Sequence, residues 1–205
     1  SFLTYSPRGT SPTSLKSCRV RDAIKHDTPG KIDEIVKRLT KELGHFPGWF
    51  GKQVTLIPVP RSSPFPRGPF ITPATTLWVS RQICESMKKN DLAGEIVPCL
   101  ERTQATKKSA FSARGERPSV YEHYDTLACQ PTIISGSQIL LVDDVITKGR
   151  TMLAAISRVA EVFPNTTVKG FTLLRTMGLV AEIDKIINCC TGLLELHNGD
   201  VLREP

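Results

Sequence analysis

The chain has 205 residues, 40% hydrophobic and 23% charged, which suits one α/β domain with a sizeable core. No apolar run approaches the roughly 18 residues of a membrane span, and Ser1 to Arg8 lack the charged-then-apolar order of a signal peptide. A net charge of +7 favours anionic partners, either nucleic acid or phosphorylated small molecules.

Residues 1–20 are rich in Ser, Thr and Pro without clear periodicity and read as an arm or irregular edge. Much of the positive charge sits early: Ser1 to Lys52 hold ten Lys/Arg against five Asp/Glu. A helix is predicted from about Pro29 to Leu43, capped by Thr28, with Ile32, Ile35, Val36 and Leu39 on one face and Gly44 as its stop. Val54 to Val59 reads as a buried strand, followed by a Pro-rich loop to Pro73. Thr72-Pro73 then signals a helix to about Lys89, and Glu95 to Leu100 a second strand. Residues 101–136 carry no convincing long element, which marks a functional lid or a partly disordered stretch. Gln138 to Val142 is the best strand, a helix follows from about Arg150 to Phe163, and Val168 to Leu174 is the next strand. The end carries a short helix near Leu179–Ile187 and a small strand near Leu193–Leu196. This order predicts an α/β fold: an open, mostly parallel sheet flanked by helices.

Six cysteines show no C-x-x-C spacing, so neither a zinc pair nor a redox pair is predicted, and a reducing, cytoplasmic setting is expected. No Walker A loop and no G-x-G-x-x-G occurs. His123, between Tyr121 and Tyr124, reads as a structural histidine near the lid's root, and Phe46, Trp49 and Phe50 as a packing cluster.

The chemistry concentrates in residues 139–151, ILLVDDVITKGRT. Four apolar residues bury a strand, and Asp143 and Asp144 then stand at its carboxyl end, the edge where open α/β sheets bind ligands. The following loop feeds a helix whose N-terminus offers unpaired N–H groups to a phosphate. Gly149 lets the backbone curl close, Thr147 and Thr151 add hydroxyls, and Lys148 and Arg150 add charge. Paired aspartates suit ribose hydroxyls or a Mg²⁺ beyond that phosphate. The bland alternative is a capped helix, since Asp and Thr are good N-caps anywhere.

Residues 139–151 resemble the signature of type I phosphoribosyltransferases: four apolar residues, two acids, two apolar residues, then Thr-x-Gly-x-Thr. Lys148 departs from it, standing where the family usually has a small residue or Arg. Val54 to Arg61 looks like the family's first core strand and pyrophosphate loop, and Arg102 to Arg117 like its mobile catalytic loop. The Pro-Val-Pro loop and Arg-Thr…Arg spacing are similar to the ComF-type group, without that group's zinc module. The resemblance covers roughly residues 50–175. It divides the chain into an arm and helix (1–50, part of a small hood), a core (51–175, lid 101–136) and an extension (176–205).

The resemblance implies phosphoribosyl pyrophosphate and Mg²⁺ as ligands and transfer of phosphoribosyl to a nitrogen nucleophile, a nucleobase first among them. Asp143 and Asp144 would hold the ribose hydroxyls, directly or through the metal. Val145, Thr147, Lys148, Gly149, Arg150 and Thr151 would cradle the 5-phosphate, and Pro60, Arg61 and Ser62 would form the pyrophosphate loop. Lys107, Lys108, Arg114 and Arg117 are the lid cations, of which one or two would neutralise the leaving group. The competing reading is a non-catalytic phosphoribosyl-pyrophosphate sensor or a ComF-type nucleic-acid-handling protein. Nucleic acid is an allowed but not required partner, a membrane is not expected, and a homodimer is the implied oligomer.

Overall fold

The computed structural model describes residues 1–205 apart from 27, 66–76, 107–116, 179 and 205. Five parallel strands form the central sheet: β1 (Leu3–Tyr5), β2 (Gly51–Pro58), β3 (Ala93–Ile96), β6 (Gln138–Ile146) and β7 (Thr167–Thr176). Their order across the sheet is β1-β7-β6-β2-β3. Short antiparallel pairs join β4 (Leu100–Arg102) to β5 (Leu127–Cys129), and β8 (Leu193–His197) to β9 (Asp200–Glu204).

Helices cover both faces, as parallel strands buried on both sides require. On one face lie α1 (Pro12–Lys25), α2 (Lys31–Leu39) and α3 (Val79–Lys89). Ile24, Val36, Leu39, Ile83 and Met87 meet Leu56, Leu140, Val142 and Phe171 there. On the other face α5 (Arg150–Val162), with α4 (Val120–Asp125) beside it, lays Met152, Ala155 and Val159 against Ile57, Ile139 and Leu141. The alternation of Ile139 and Leu141 against Leu140 and Val142 is the period of two that a buried strand imposes. Among the described residues no helix is long and apolar enough to cross a membrane.

Several expectations change. The arm is ordered: Leu3–Tyr5 pairs with β7, and Pro12–Lys25 is a helix capped by the Ser11 hydroxyl, which accepts from Ser14 N–H. That helix escapes an apolar-period search because two of its three buried residues are serines, with Ile24 the third. Ser14 and Ser17 are fully buried, and the Ser17 hydroxyl donates to Ser14 O at 2.6 Å. The next helix is shorter than expected, with Gly30 as its N-cap, and a 3₁₀ turn occupies Leu43–His45. The Glu95–Leu100 stretch divides between β3 and β4. No helix forms near 179–187 among the described residues; Ile187 bridges instead to Leu3. The cap expected at Thr72-Pro73 lies outside the described residues.

The chain leaves β2 for β3 on one side, returns through β6 on the other side of β2, and continues to β7. Strand order thus reverses between β2 and β6. Open α/β sheets bind ligands beside such a reversal, at the carboxyl edge.

Candidate functional site

A cleft of about 650 Å³ opens at the carboxyl edge of the sheet and is lined along one wall by Asp143, Val145, Ile146 and Thr147–Met152. β6 runs beyond the apolar run to Ile146, so both aspartates lie within the strand. Neighbouring side chains on a strand point to opposite sides. Asp143 lines the cleft, whereas Asp144 is not among its described lining residues. Asp144 lies 3.7 Å from Lys25 Nζ of α1 and accepts the Val145 N–H.

Asp143 accepts hydrogen bonds from the Ser80 hydroxyl at 3.1 Å and from Asp144 N–H at 2.9 Å. Burial, and then the charge of Asp144, push its carboxyl well above the usual range. Arg102, only 5% exposed, raises a compensating charge beside it. Burial lowers that guanidinium to about 10 while Asp143 pulls it back up. Its Nη1 donates to Thr126 Oγ1 at 2.6 Å and to His123 O at 3.2 Å.

The loop after β6 turns on Gly149, which caps α5 with φ +97°, a left-handed conformation open to glycine. A Cβ there would come within 2.7 Å of Leu194 Cδ2, so β8 packs directly on the turn. No side chain caps α5, which leaves its first N–H groups free of intrahelical partners at the cleft wall. The loop's cations do not stand free. Arg150 donates to both carboxylate oxygens of Asp200, at 2.6 and 2.8 Å, and Lys148 pairs with the same carboxylate. Arg150 also donates to the carbonyls of Arg117 and Pro118.

His123 closes another part of the wall, 4% exposed, with Nε2 3.3 Å from Thr151 Oγ1. Burial, then Arg102, lower it to about 4, so the ring is neutral at pH 7. Its Nδ1 is buried without a partner among the described residues. The ring and the Thr151 hydroxyl share one hydrogen bond whose direction follows the tautomer.

Pro60, Arg61 and Ser62 leave the end of β2 and are not among the described residues lining this cleft. Arg61 lies over the Phe65 ring at 5.7 Å, Phe65 packs on Trp78 at 5.2 Å, and Trp78 Nε1 donates to Val59 O. Ser62 O accepts from Thr106 N–H, which ties this loop to the root of the lid. Lys107, Lys108 and Arg114 lie outside the described residues; Arg117 lines the cleft. The aromatic cluster is packing, with Phe46 and Phe50 edge-on to Phe171 of β7.

Sequence reasoning did not single out Arg8, Ser80, Arg102 or Asp200 as site residues. Ser80 and Asp200 carried no signal, because only the folded chain brings α3 and the β8–β9 hairpin to β6.

The acid pair suits Mg²⁺ in one specific way. A half-buried carboxylate next to a second acid is what a cation relieves, and Mg²⁺ binds through one or two carboxylates with water and substrate oxygens for the rest. A cage of protein ligands is not assembled here; the group of three potential ligands among the described residues is Glu42, His45 and Cys189.

No family model matches this chain, and no curated protein matches it. Solved structures with a similar trace include an adenine phosphoribosyltransferase from Leishmania donovani, at TM-score 0.37 and 15% identity, matched over 85% of this chain. The chain spans 64% of that protein's length. A hypoxanthine phosphoribosyltransferase from Trypanosoma cruzi, in a ternary substrates complex, aligns at TM-score 0.35 and 10% identity over 85% of this chain and 92% of its own.

Proposed function

We propose that this chain is a Mg²⁺-dependent phosphoribosyltransferase that takes phosphoribosyl pyrophosphate and transfers its sugar phosphate to a nitrogen nucleophile, a nucleobase or similar ring. One observation carries the reading. The wall of a sheet-edge cleft is built from a half-buried acid, a glycine turn and an uncapped helix N-terminus in immediate succession.

The 5-phosphate would sit at the start of α5, gripped by main-chain N–H groups and the hydroxyls of Thr147 and Thr151. Asp200 takes up Lys148 and Arg150, so these two cations set the loop's shape more than they grip the ligand. Asp143 would accept from a ribose hydroxyl, with Asp144 behind it. Asp143, with substrate oxygens and water, would hold Mg²⁺, which would offset charge on the pyrophosphate. The nitrogen lone pair forms the new bond to C1 as the C1–O bond to pyrophosphate breaks. The leaving group takes the electron pair, and the ring nitrogen gives up its proton. Catalysis is then positioning together with stabilisation of growing negative charge. Pro60, Arg61 and Ser62 would take the pyrophosphate, and Lys107, Lys108 or Arg114 would close over it.

Calorimetry with phosphoribosyl pyrophosphate and Mg²⁺ tests the reading, followed by a screen for pyrophosphate release over ring-nitrogen acceptors. Asp143→Asn with Asp144→Asn is expected to abolish binding while the protein stays folded. Unchanged affinity in that variant removes the assignment. Binding without turnover on any acceptor would favour a sensor.

A further inference from the structure

Part of the cleft lies away from the β6 loop, and the N-terminal arm furnishes its charge. β1 is the edge strand beyond β7, parallel to β6, so its carboxyl end reaches the same edge of the sheet. Ser6-Pro7-Arg8-Gly9 leaves that end, and Arg8 lines the cleft together with Thr172 and Gly178.

The turn is held rigidly. Ser6 Oγ donates to Ala181 O at 2.5 Å and accepts the Gly9 N–H at 3.1 Å. Ser6 N–H donates to Ser17 Oγ of α1 at 3.2 Å. The Glu182 carboxylate accepts from Thr10 N–H, Ser11 N–H and Ser14 Oγ at 2.7, 3.0 and 2.8 Å. At Gly9 there is no room for a side chain, since a Cβ would lie 2.3 Å from Ala181 O. The chain thus fixes the backbone on both sides of one exposed cation. Among the described residues, that cation has no carboxylate partner and no hydrogen bond. Lys148 and Arg150, by contrast, are both taken up by Asp200. A fixed backbone carrying an unpaired guanidinium into a cleft is a prepaid anion site.

We propose that Arg8 binds an anionic group on the acceptor, so that the nitrogen nucleophile is a ring acid and not a neutral base. Adjacent strands lie about 4.8 Å apart, so β1 stands about 10 Å from β6 across the sheet. A ligand anchored by its phosphate at the start of α5 and extending across the sheet toward β7 and β1 brings the group on its far side toward Arg8. A carboxylate on the acceptor ring pairs with guanidinium in the two-point fork that a neutral ring lacks. This rests on the phosphoribosyltransferase reading above.

The test is calorimetric titration of the full chain, held with ribose 5-phosphate and Mg²⁺, using matched probes: orotate against uracil, and nicotinate against nicotinamide. In the unmodified chain at least one carboxylate is expected to bind about tenfold or more tighter than its neutral partner, the usual return from one charge-assisted contact. Arg8→Gln should erase that preference, and Arg8→Lys should keep part of it. Equal binding of acid and neutral probe, no binding of either carboxylate, or a preference that survives Arg8→Gln each overturn the proposal. Phosphoribosyl pyrophosphate titrated into the unmodified chain is measured alongside. Its failure to bind sinks the enzymatic reading separately from the role of Arg8.

Discussion

Replacing Asp200 with asparagine isolates the contact that braces the loop between β6 and α5. The carboxylate accepts from Arg150 Nε at 2.6 Å and Nη2 at 2.8 Å, in a fork whose side chains are 23% and 32% exposed. Lys148 adds a second cation from a side chain 56% exposed. Hydrogen bonds to charged groups contribute about 1.5–3 kcal/mol net when shielded, and open surface pairs about 0.2–1 kcal/mol. Partial exposure places this three-residue contact between those limits, at about 1–1.5 kcal/mol. Arg150, then Lys148, hold Asp200 far below the ordinary aspartate value of 3.8. The sign follows from which state binds the proton. Above about pH 4 both folded and unfolded chains are ionised and the contribution is complete. As the pH falls below that, the unfolded chain takes up a proton that the folded chain refuses, and the contribution drains away. Urea unfolding at pH 7 should therefore show Asp200→Asn about 1–1.5 kcal/mol less stable than the unmodified protein. The gap should narrow steadily below pH 4 and shrink with added salt. Coincident curves at pH 7, or a deficit that persists undiminished in acid, would refute the brace.

Gly149→Ala forces a non-glycine residue to φ +97° and drives its Cβ to 2.7 Å from the tip of Leu194. Melting should fall by the equivalent of about 1–2 kcal/mol, and binding of phosphoribosyl pyrophosphate should weaken, both read on one sample by thermal melts and calorimetry. His123, lowered from 6.5 to about 4, stays neutral in the folded chain while the unfolded chain protonates. The protein should thus lose about 3 kcal/mol between pH 6.5 and pH 4, and His123→Gln should lack that loss in acid-unfolding curves. Lys107→Ala with Lys108→Ala should lower pyrophosphate release more than ligand affinity. A variant with unchanged turnover would move the closing charge to Arg114 or Arg117.

The apolar runs that become β2, β6 and β7 were legible because a buried parallel strand writes itself as consecutive Val, Leu and Ile. The loop at 147–151 was legible because its glycine and hydroxyls have a backbone purpose at a helix start. Two kinds of feature stayed hidden. One is helix α1, whose buried face pairs a single apolar residue, Ile24, with Ser14 and Ser17, which satisfy one another and the neighbouring backbone. Such a face has no hydrophobic period to detect. The other is any partnership across large sequence distance: Asp200 with Arg150, Ser80 with Asp143, Glu182 with the turn before α1. Asp143 and Asp144 looked equivalent as letters, yet a strand's alternation sends one to the cleft and leaves the other near Lys25.

The two termini, which share no sequence feature, do comparable work around one cleft. The β8–β9 hairpin presses Leu194 onto Gly149 and ties up the loop cations through Asp200. The N-terminal strand takes the sheet edge beyond β7 and delivers Arg8 to the same cleft. Each segment is anchored by contacts that do not involve the cleft's contents: Arg203 of β9 donates to the carbonyls of Ile146 and Thr176, and Ser6 to that of Ala181. A wall whose supports lie outside the binding space can change the group it presents without disturbing the loop at 147–151. Acceptor specificity is therefore expected to reside at Arg8 and its neighbours, and sugar-phosphate binding at residues 143–151. Substitutions in the two regions should then combine additively in binding free energy, because they share no contact partner. An Arg8→Gln, Gly149→Ala double variant that departs from the sum of its singles would show that the two regions act as one site.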